Sequence, residues 1–425
     1  MPAGSQPAPA TPTDAANGPD WDGRYPSDPV DRQPLVPFRF GCFLSPLHPI
    51  GQSPSRLLDD DLSLAQWADE LGLDEFWIGE HHSGGWGIVG SPEVFIAAAA
   101  QRTSRITLAT GVVSAPYHNP FMVAERAVLL DHLTRGRFVL GLGAGSVPAD
   151  MAMLSIDPRD TRRRLLESAE VISELLQGKP VTRTSDWFCL EGARLQLDTF
   201  SRGIELVVAS AATPFGMQLA GRLGAQALSH AAAPWGVVRP GVSMGIERLP
   251  DQWTEFEKAA AEAGHRSDRG NWRVVIPLHV STDRETALAQ IYPGWERTRS
   301  ELWMHNFAMP MSAHPNATRR AFEVTLEQGG IIAGSPAECA EQIRLLAERT
   351  GGFGTLLIGC QDWASREHQR TSLDLFAREV VPQLRGQLDR LRLSSGFARQ
   401  TAQRLQMVDQ QARDTAMQGQ PGGLR

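Results

Sequence analysis

The stretch "GSPAECAEQIRLLAERTGGFGTLLIGC", residues 334–360, contains one complete helix-to-strand unit. Ser335 with Glu338 three residues later forms a capping box, with Pro336 inside it in the first turn. The helix it opens runs to a Gly351-Gly352 stop. The apolar run "GTLLIGC" (354–360) then reads as a buried strand.

Working outward, the same unit recurs along the chain. "FRFGCFL" (38–44) is a strand, followed by Leu58, Leu62, Ala65, Ala68 and Leu71 at helical spacing until Gly72, and "EFWIG" (75–79) is the next strand. Ser91 as N-cap and Pro92 at the first helical position open a helix that leads to "RITLATGVV" (105–113). Asn119-Pro120 repeats that punctuation before "RFVLGLG" (137–143), and a helix from about 161 ends at Gly178. After a hairpin pattern in "VTRTSDWFCLEGARLQL", the strands 204–210, 225–230, 272–281 and 354–360 complete eight β/α units. Short connections between such units imply parallel strands joined by right-handed crossovers. The reading is a single α/β (β/α)8 TIM barrel over residues 37–391, with an insertion around 284–330 before the last β/α unit. An open doubly wound sheet is the competing architecture, because alternation alone does not prove closure. Residues 1–36 read as a disordered or extended arm, and 392–425 as a polar tail with weak helical periodicity.

The 425 residues are 42% hydrophobic and 21% charged, which describes a globular chain with ample core. A net charge of −7 gives no reason to expect nucleic acid or an anionic membrane as partner. Cys42, Cys189, Cys339 and Cys360 form no CxxC pair, so neither a disulfide framework nor a zinc ribbon is indicated. No secretory signal or membrane span is visible, and a cytoplasmic enzyme is the expectation.

In this barrel the reactive groups stand at the C-terminal ends of the strands, and five places qualify. Glu80, His81 and His82 end the second strand. Adjacent histidines in extended chain point to opposite sides and no HxxxH or HxH spacing accompanies them, so no metal is expected. Two readings stand there: an acid–base group, or a polar cluster that only bonds loop backbone. Gly111, beside Val112, permits a bulge beneath a flat ligand or an ordinary kink at the barrel rim. "LGLGAGSV" (140–147) has alternating glycines for close approach but lacks the dinucleotide fingerprint. Ser210, Ala211, Ala212 and Thr213 precede a helix start whose free N–H groups form either an anion pocket or a plain cap. His48, Trp86, Trp187, His230 and Trp235 fall in or near mouth loops and would suit an aromatic ligand beside an apolar substrate.

These stretches, with "GLDEFWIGEHH", "LATGVVSAPYHNP", "LLDHLTRGRFVLGLGAGSV" and "LVVASAATP" in order, resemble the bacterial luciferase-like flavin monooxygenases over about 38–388. "FLSPLHPIGQSP" and "DWFCLEGARLQL" look most like the limonene monooxygenase-type subgroup. The resemblance implies that His81 is the active-site histidine, with Glu80 or His82 orienting it. It implies a non-proline cis peptide at Gly111-Val112, a flavin phosphate on Ser210 to Thr213, and a ring edge bordered by Gly143, Ala144, Gly145 and Ser146. Two departures stand out: the family's cysteine–arginine pair is Gly143-Ala144 here, and its Glu-Ser is Ser210-Ala211. Phosphate binding is therefore expected to rest on backbone N–H groups and Thr213.

The implied activity is insertion of one oxygen atom from O2 into a small apolar substrate by epoxidation, hydroxylation or Baeyer–Villiger chemistry. It uses reduced FMN or reduced FAD, FMN favoured, from a separate flavin reductase. A deazaflavin-dependent hydride-transfer enzyme and a non-catalytic flavin-binding accessory protein are the alternatives. The insertion, with Trp295, Trp303, His305, Phe307 and Met309, reads as a lid or as a segment that only packs on the barrel, and the Ala97 to Ala100 region as a homodimer contact, the favoured reading, or as packing on the barrel strands.

Overall fold

The computed structural model describes residues 39–211, 213–231, 245–307 and 318–417. Eight parallel strands form the core: β1 (Arg39–Leu44), β2 (Glu75–Ile78), β3 (Thr107–Thr110), β4 (Phe138–Gly143), β5 (Glu205–Ser210), β6 (Gln226–His230), β7 (Trp272–Val280) and β8 (Thr355–Cys360). Each pairs with its successor, and β8 pairs back to β1. The barrel is closed, which removes the open-sheet alternative.

Helices return the chain between strands: α1 (Pro54–Glu70), α2 (Pro92–Ala100), α3 (Pro120–Thr134), α4 (Pro148–Met153), α5 (Thr161–Leu176), α6 (Phe215–Leu223), α7 (Leu249–Glu262), α8 (Arg284–Arg297), α9 (Thr318–Glu327), α10 (Pro336–Thr350), α11 (Arg366–Leu375), α12 (Val381–Leu384) and α13 (Asp389–Met417). The signals read from sequence act as caps: Ser91 and Asn119 accept from the first-turn N–H groups of α2 and α3, and Ser335 with Glu338 closes the capping box of α10. An antiparallel hairpin, Val181–Thr184 with Cys189–Ala193, follows α5.

Two segments differ from expectation. The third strand stops at Thr110, because a cis peptide joins Gly111 and Val112 and pairing resumes only at Val113–Ser114, against β4. A Cβ on Gly111 would stand 2.8 Å from the Phe43 ring, so the chain turns where only glycine fits. The C-terminal segment, read as a polar tail with weak helical periodicity, forms a continuous helix: α13 runs 29 residues to Met417. Its Leu, Arg, Gln and Ala residues favour helix, and no proline interrupts them. The arm 1–36 lies outside the described residues.

Inside the barrel each strand contributes one side chain to a single apolar cluster: Phe43, Trp77, Ala109, Val139, Val207, Leu228, Val275 and Leu357. Two residues earlier on β2 and β7, Glu75 and Arg273 occupy the layer beneath, 2% and 0% exposed. Arg273 donates from Nε to Glu75 Oε2 at 2.8 Å and from Nη2 to Glu205 at 2.9 Å. The Trp77 indole N–H donates to the same Glu75 oxygen at 2.8 Å, and the guanidinium lies 5.3 Å from the Trp77 ring centroid. Burial pushes the Glu75 carboxyl up, but the Arg273 charge outweighs it and holds the group below its ordinary range.

Removing one partner of a buried pair leaves an uncompensated charge. Arg273→Ala is expected to cost about 3–5 kcal/mol, read as a lower urea midpoint. Glu75→Gln combined with Arg273→Met is expected to cost less than Arg273→Ala alone. Equal losses would show that the charge left behind is not what destabilises.

Candidate active site

Above the Trp77 layer the strand ends open into a cavity of about 400 Å3, within the roughly 300–1,000 Å3 range of small-molecule sites. Its floor and one wall are Phe43, Gly111, Val112 and Gly143. A Cβ on Gly143 would meet the Val112 side chain at 2.4 Å, so the wall stays flat because glycine is there. Gly145, at φ 72°, leaves room for the Tyr117 hydroxyl, which a Cβ would approach to 2.2 Å. Ala144 and Ser146 continue that edge.

His81 lines the cavity, and its Nδ1 is buried without a hydrogen-bond partner. Burial depresses its basicity, Asp150 and Glu80 oppose that by charge, and the imidazole ends below its ordinary value. The glycine-rich loop is shaped around it: a Cβ on Gly87 would meet the His81 Cβ at 2.4 Å, and one on Gly84 would strike the Phe307 ring at 2.5 Å. The His81 N–H donates to the Val89 carbonyl at 3.0 Å, which fixes the loop's return.

Glu80 has a different task from the expected one of orienting His81. Its Oε1 accepts from His82 Nε2 and from His118 Nε2, each at 2.7 Å, and its Oε2 accepts from the Ser114 N–H at 2.6 Å. Although burial opposes ionisation, these donors draw its carboxyl down to about 2, and the Glu80 contact raises His82. A carboxylate only accepts, so both imidazoles carry their proton on Nε2. Glu80 thus ties the loop after β2 to the segment that follows the cis peptide. The donor atoms of Glu80, His82 and His118 lie within 4.8 Å of one another, a set a divalent metal could use. The two 2.7 Å contacts are charge-assisted hydrogen-bond lengths, and on that geometry the cluster is a hydrogen-bonded knot.

At the far end of the cavity Ala211, Thr213, Phe215 and Gly216 meet Thr161 and Arg162 of α5. The helix begins at Phe215, after Pro214, slightly later than the sequence suggested, and its first-turn N–H groups face this end. Ser210 turns away from the cavity and donates to the Thr213 carbonyl at 2.9 Å. Ala212 lies outside the described residues. Arg162 was missed in sequence because "TRRRLL" reads as a solvated charge run; its neighbour Arg163 is held by Asp186 at 2.7 Å, while Arg162 reaches the wall. His118, Asp150 and Tyr117 were missed because nothing local marks them.

The expected substrate contacts separate. His230 does line the cavity, edge-on to Phe43 at 5.0 Å, and burial pulls its value down to about 4, so it is neutral. His48 does not reach the cavity: its Nε2 meets Asp61 at 2.9 Å and its Nδ1 meets Asp362 at 3.4 Å, joining the first and last β/α units. Trp86 is packed with Leu47, Val147, Leu302, Trp303 and Phe307, so it seats the insertion on the barrel mouth. Trp187 braces α5 by donating to Glu167 at 2.7 Å. Trp235 and Met309 lie outside the described residues.

The family model described as luciferase-like monooxygenase matches residues 38–352. The 4-hydroxyprotoasukamycin monooxygenase of Streptomyces nodosus subsp. asukaensis is 51% identical, covering 85% of this chain and 96% of that protein. Limonene 1,2-monooxygenase of Rhodococcus erythropolis is 41% identical over 82% and 87%. An F420-dependent glucose-6-phosphate dehydrogenase of Amycolatopsis mediterranei is 26% identical over 77% and 94%. Among solved structures, the oxygenating constituent of 3,6-diketocamphane monooxygenase of Pseudomonas putida, a type II Baeyer–Villiger monooxygenase in complex with FMN, superposes with a TM-score of 0.64 at 25% identity, covering 80% and 98%. Monooxygenase RslO1 of Streptomyces bottropensis gives 0.70 at 22% identity over 81% and 99%, a likeness of fold.

Two outcomes follow from these contacts. Asp362 and Asp61 raise His48 to about 9 against the burial that opposes its charge. The stabilisation is therefore complete below pH 6.5 and disappears as pH rises through about 9, at most about 3 kcal/mol. The melting temperature should fall over that window in the native protein and less so in His48→Gln; equal falls would remove the clamp from the account. Dialysis against EDTA is expected to leave the melting temperature unchanged, whereas a drop reversed by zinc would make Glu80, His82 and His118 a metal site.

Proposed function

The chain belongs to the luciferase-like monooxygenases, and from that premise we propose that it takes reduced FMN from a separate flavin reductase and inserts one atom of O2 into a small organic substrate. The observation that carries this reading is the flat glycine-lined wall at Gly111, Val112 and Gly143 beside the unpartnered His81, with a cationic end at Arg162. The FMN named in the diketocamphane structure supports FMN over FAD. A bound reduced flavin supplies, with O2, the oxygen-transfer chemistry that no side chain of the cavity can provide.

Gly111, Val112 and Gly143 to Ser146 would take the ring system. Arg162, Thr213 and the first-turn N–H groups of α6 would hold the phosphate, with Arg162 supplying the cation that Gly143-Ala144 lacks. His81 holds or moves a proton at the ring nitrogen facing the cavity, and its depressed basicity keeps it neutral near pH 7. His230, also neutral, adds surface without charge. Trp86, Trp303 and Phe307 close the mouth with apolar surface and keep water out. An apolar substrate, as the name limonene 1,2-monooxygenase suggests, suits Phe43, Leu47, Val147, Met151 and Leu165 on the remaining wall. The exposed Val94, Met122, Leu129 and Leu133 on α2 and α3 support a homodimer.

Products formed from candidate apolar substrates with a flavin reductase, NADH, FMN and labelled O2 are expected to carry one labelled oxygen atom. His81→Ala is expected to lose about 100-fold or more in turnover at near-native flavin affinity. Arg162→Ala is expected to weaken flavin binding about tenfold. Unlabelled, anaerobic turnover with a deazaflavin would replace oxygenation by hydride transfer, the activity that the name of the F420-dependent relative carries.

A further inference from the structure

Resting on the reading above, we propose that Asp150 selects the substrate: its open carboxylate oxygen accepts from an O–H or N–H group, so the molecule taken up is an apolar skeleton that carries one such donor. Asp150 stands in the first turn of α4 and lines the cavity, 2% exposed. Its Oδ1 accepts from the Ser83 hydroxyl, and among the described residues no donor meets its Oδ2. A buried carboxylate completed by a single hydroxyl is costly. A pocket that holds such an acceptor discriminates strongly against a ligand that cannot fill it.

The surroundings place that oxygen on the substrate's side of the cavity. Val147, three residues before Asp150, belongs to the apolar cluster in which Trp86 meets Leu302, Trp303 and Phe307. Gly84, next to Ser83, packs against the Phe307 ring, and its carbonyl accepts from the Asn306 side-chain amide at 2.9 Å. Both ends of the Ser83–Asp150 bond therefore adjoin the insertion, beyond the Gly143 to Ser146 edge assigned to the flavin ring. The cavity wall on either side of Asp150 in the chain is apolar, with Val147 and Met151. Two neighbouring polar groups also lack partners, and neither completes the carboxylate. The His81 Nδ1 and the Tyr117 hydroxyl are buried with no hydrogen bond at all, so neither donates to Asp150. The phenol stands behind Gly145, where a Cβ would come within 2.2 Å of it. Arg162, at the phosphate end, makes no ion pair with Asp150 among the described residues.

The test is a binding measurement on the full-length protein with FMN present, using three probes on one carbon skeleton: p-cymene, cuminyl alcohol and cuminylamine. The native protein is expected to bind the alcohol and the amine about tenfold or more tightly than the hydrocarbon, and the ratio between those two tells a hydroxyl from an amine donor. In Asp150→Leu the order should reverse in favour of p-cymene, with FMN affinity unchanged. The ligand-free Asp150→Leu protein should melt no lower than the native one, because a half-completed buried carboxylate has been removed. Asp150→Asn decides the matter if the leucine variant does not fold: a neutral amide is expected to lose the advantage of the amine. Tyr117→Phe is expected to keep the native order. Alcohol and amine that bind the native protein no more tightly than p-cymene overturn the proposal. So does a native order that survives in Asp150→Leu, whether the variant then loses melting temperature, as a purely structural residue would, or FMN affinity, as a cofactor contact would. The measurement needs neither turnover nor O2, so its failure is distinct from failure of the labelled-oxygen experiment.

Discussion

The constraint on which the rest of the structure depends is the Arg273–Glu75 pair closing the lower end of the barrel. Eight strands leave an interior that side chains must fill, and at this end the filling is ionic. The pair is acceptable only because the carboxylate is saturated: Arg273, the Trp77 indole and Thr355 all converge on it. Trp77 is thereby fixed across the axis above the pair. Gly141 packs against that ring, where a Cβ would stand only 2.9 Å from it.

At the opposite end a second saturated carboxylate does comparable work for the loops. Glu80 accepts from His82 on its own loop and from His118 and the Ser114 N–H after the cis peptide, so the glycine wall and the histidine loop are tied together. This frees His81 of local hydrogen bonding at its ring. The division between a bonded His82 and an unbonded His81 gives two adjacent, chemically identical residues opposite settings, one tied into the frame and one open to the cavity.

The barrel was legible in sequence because its signals are local: proline and serine at helix starts, glycine at helix ends, apolar runs between them. Ser91, Asn119 and Ser335 are read directly because an N-cap depends on three or four residues. The cavity lining was legible where backbone geometry demands a residue type, as at Gly111 and Gly143, and at the strand ends that carry His81 and His230. Side chains that meet across the barrel were not. His118 sits 38 residues from Glu80, and Asp150 sits 67 from Ser83. His48 and Trp86 lie in mouth loops as expected, yet their side chains turn into an ion clamp and an apolar seat, an orientation set by partners at Asp362 and Phe307 that no local pattern encodes. The helical C-terminal segment was underread because polar composition and helical propensity are separate properties.

The close-packed glycines carry one last consequence. At Gly41 and Gly141 a methyl group would stand 2.3 and 2.1 Å from a neighbouring carbonyl oxygen, and at Gly354 only 1.8 Å. Backbone cannot yield there as a side chain can. The backbone spacing beneath the cavity is therefore closed to gradual mutational drift at these positions, while the long side chains that line the cavity can be altered one at a time.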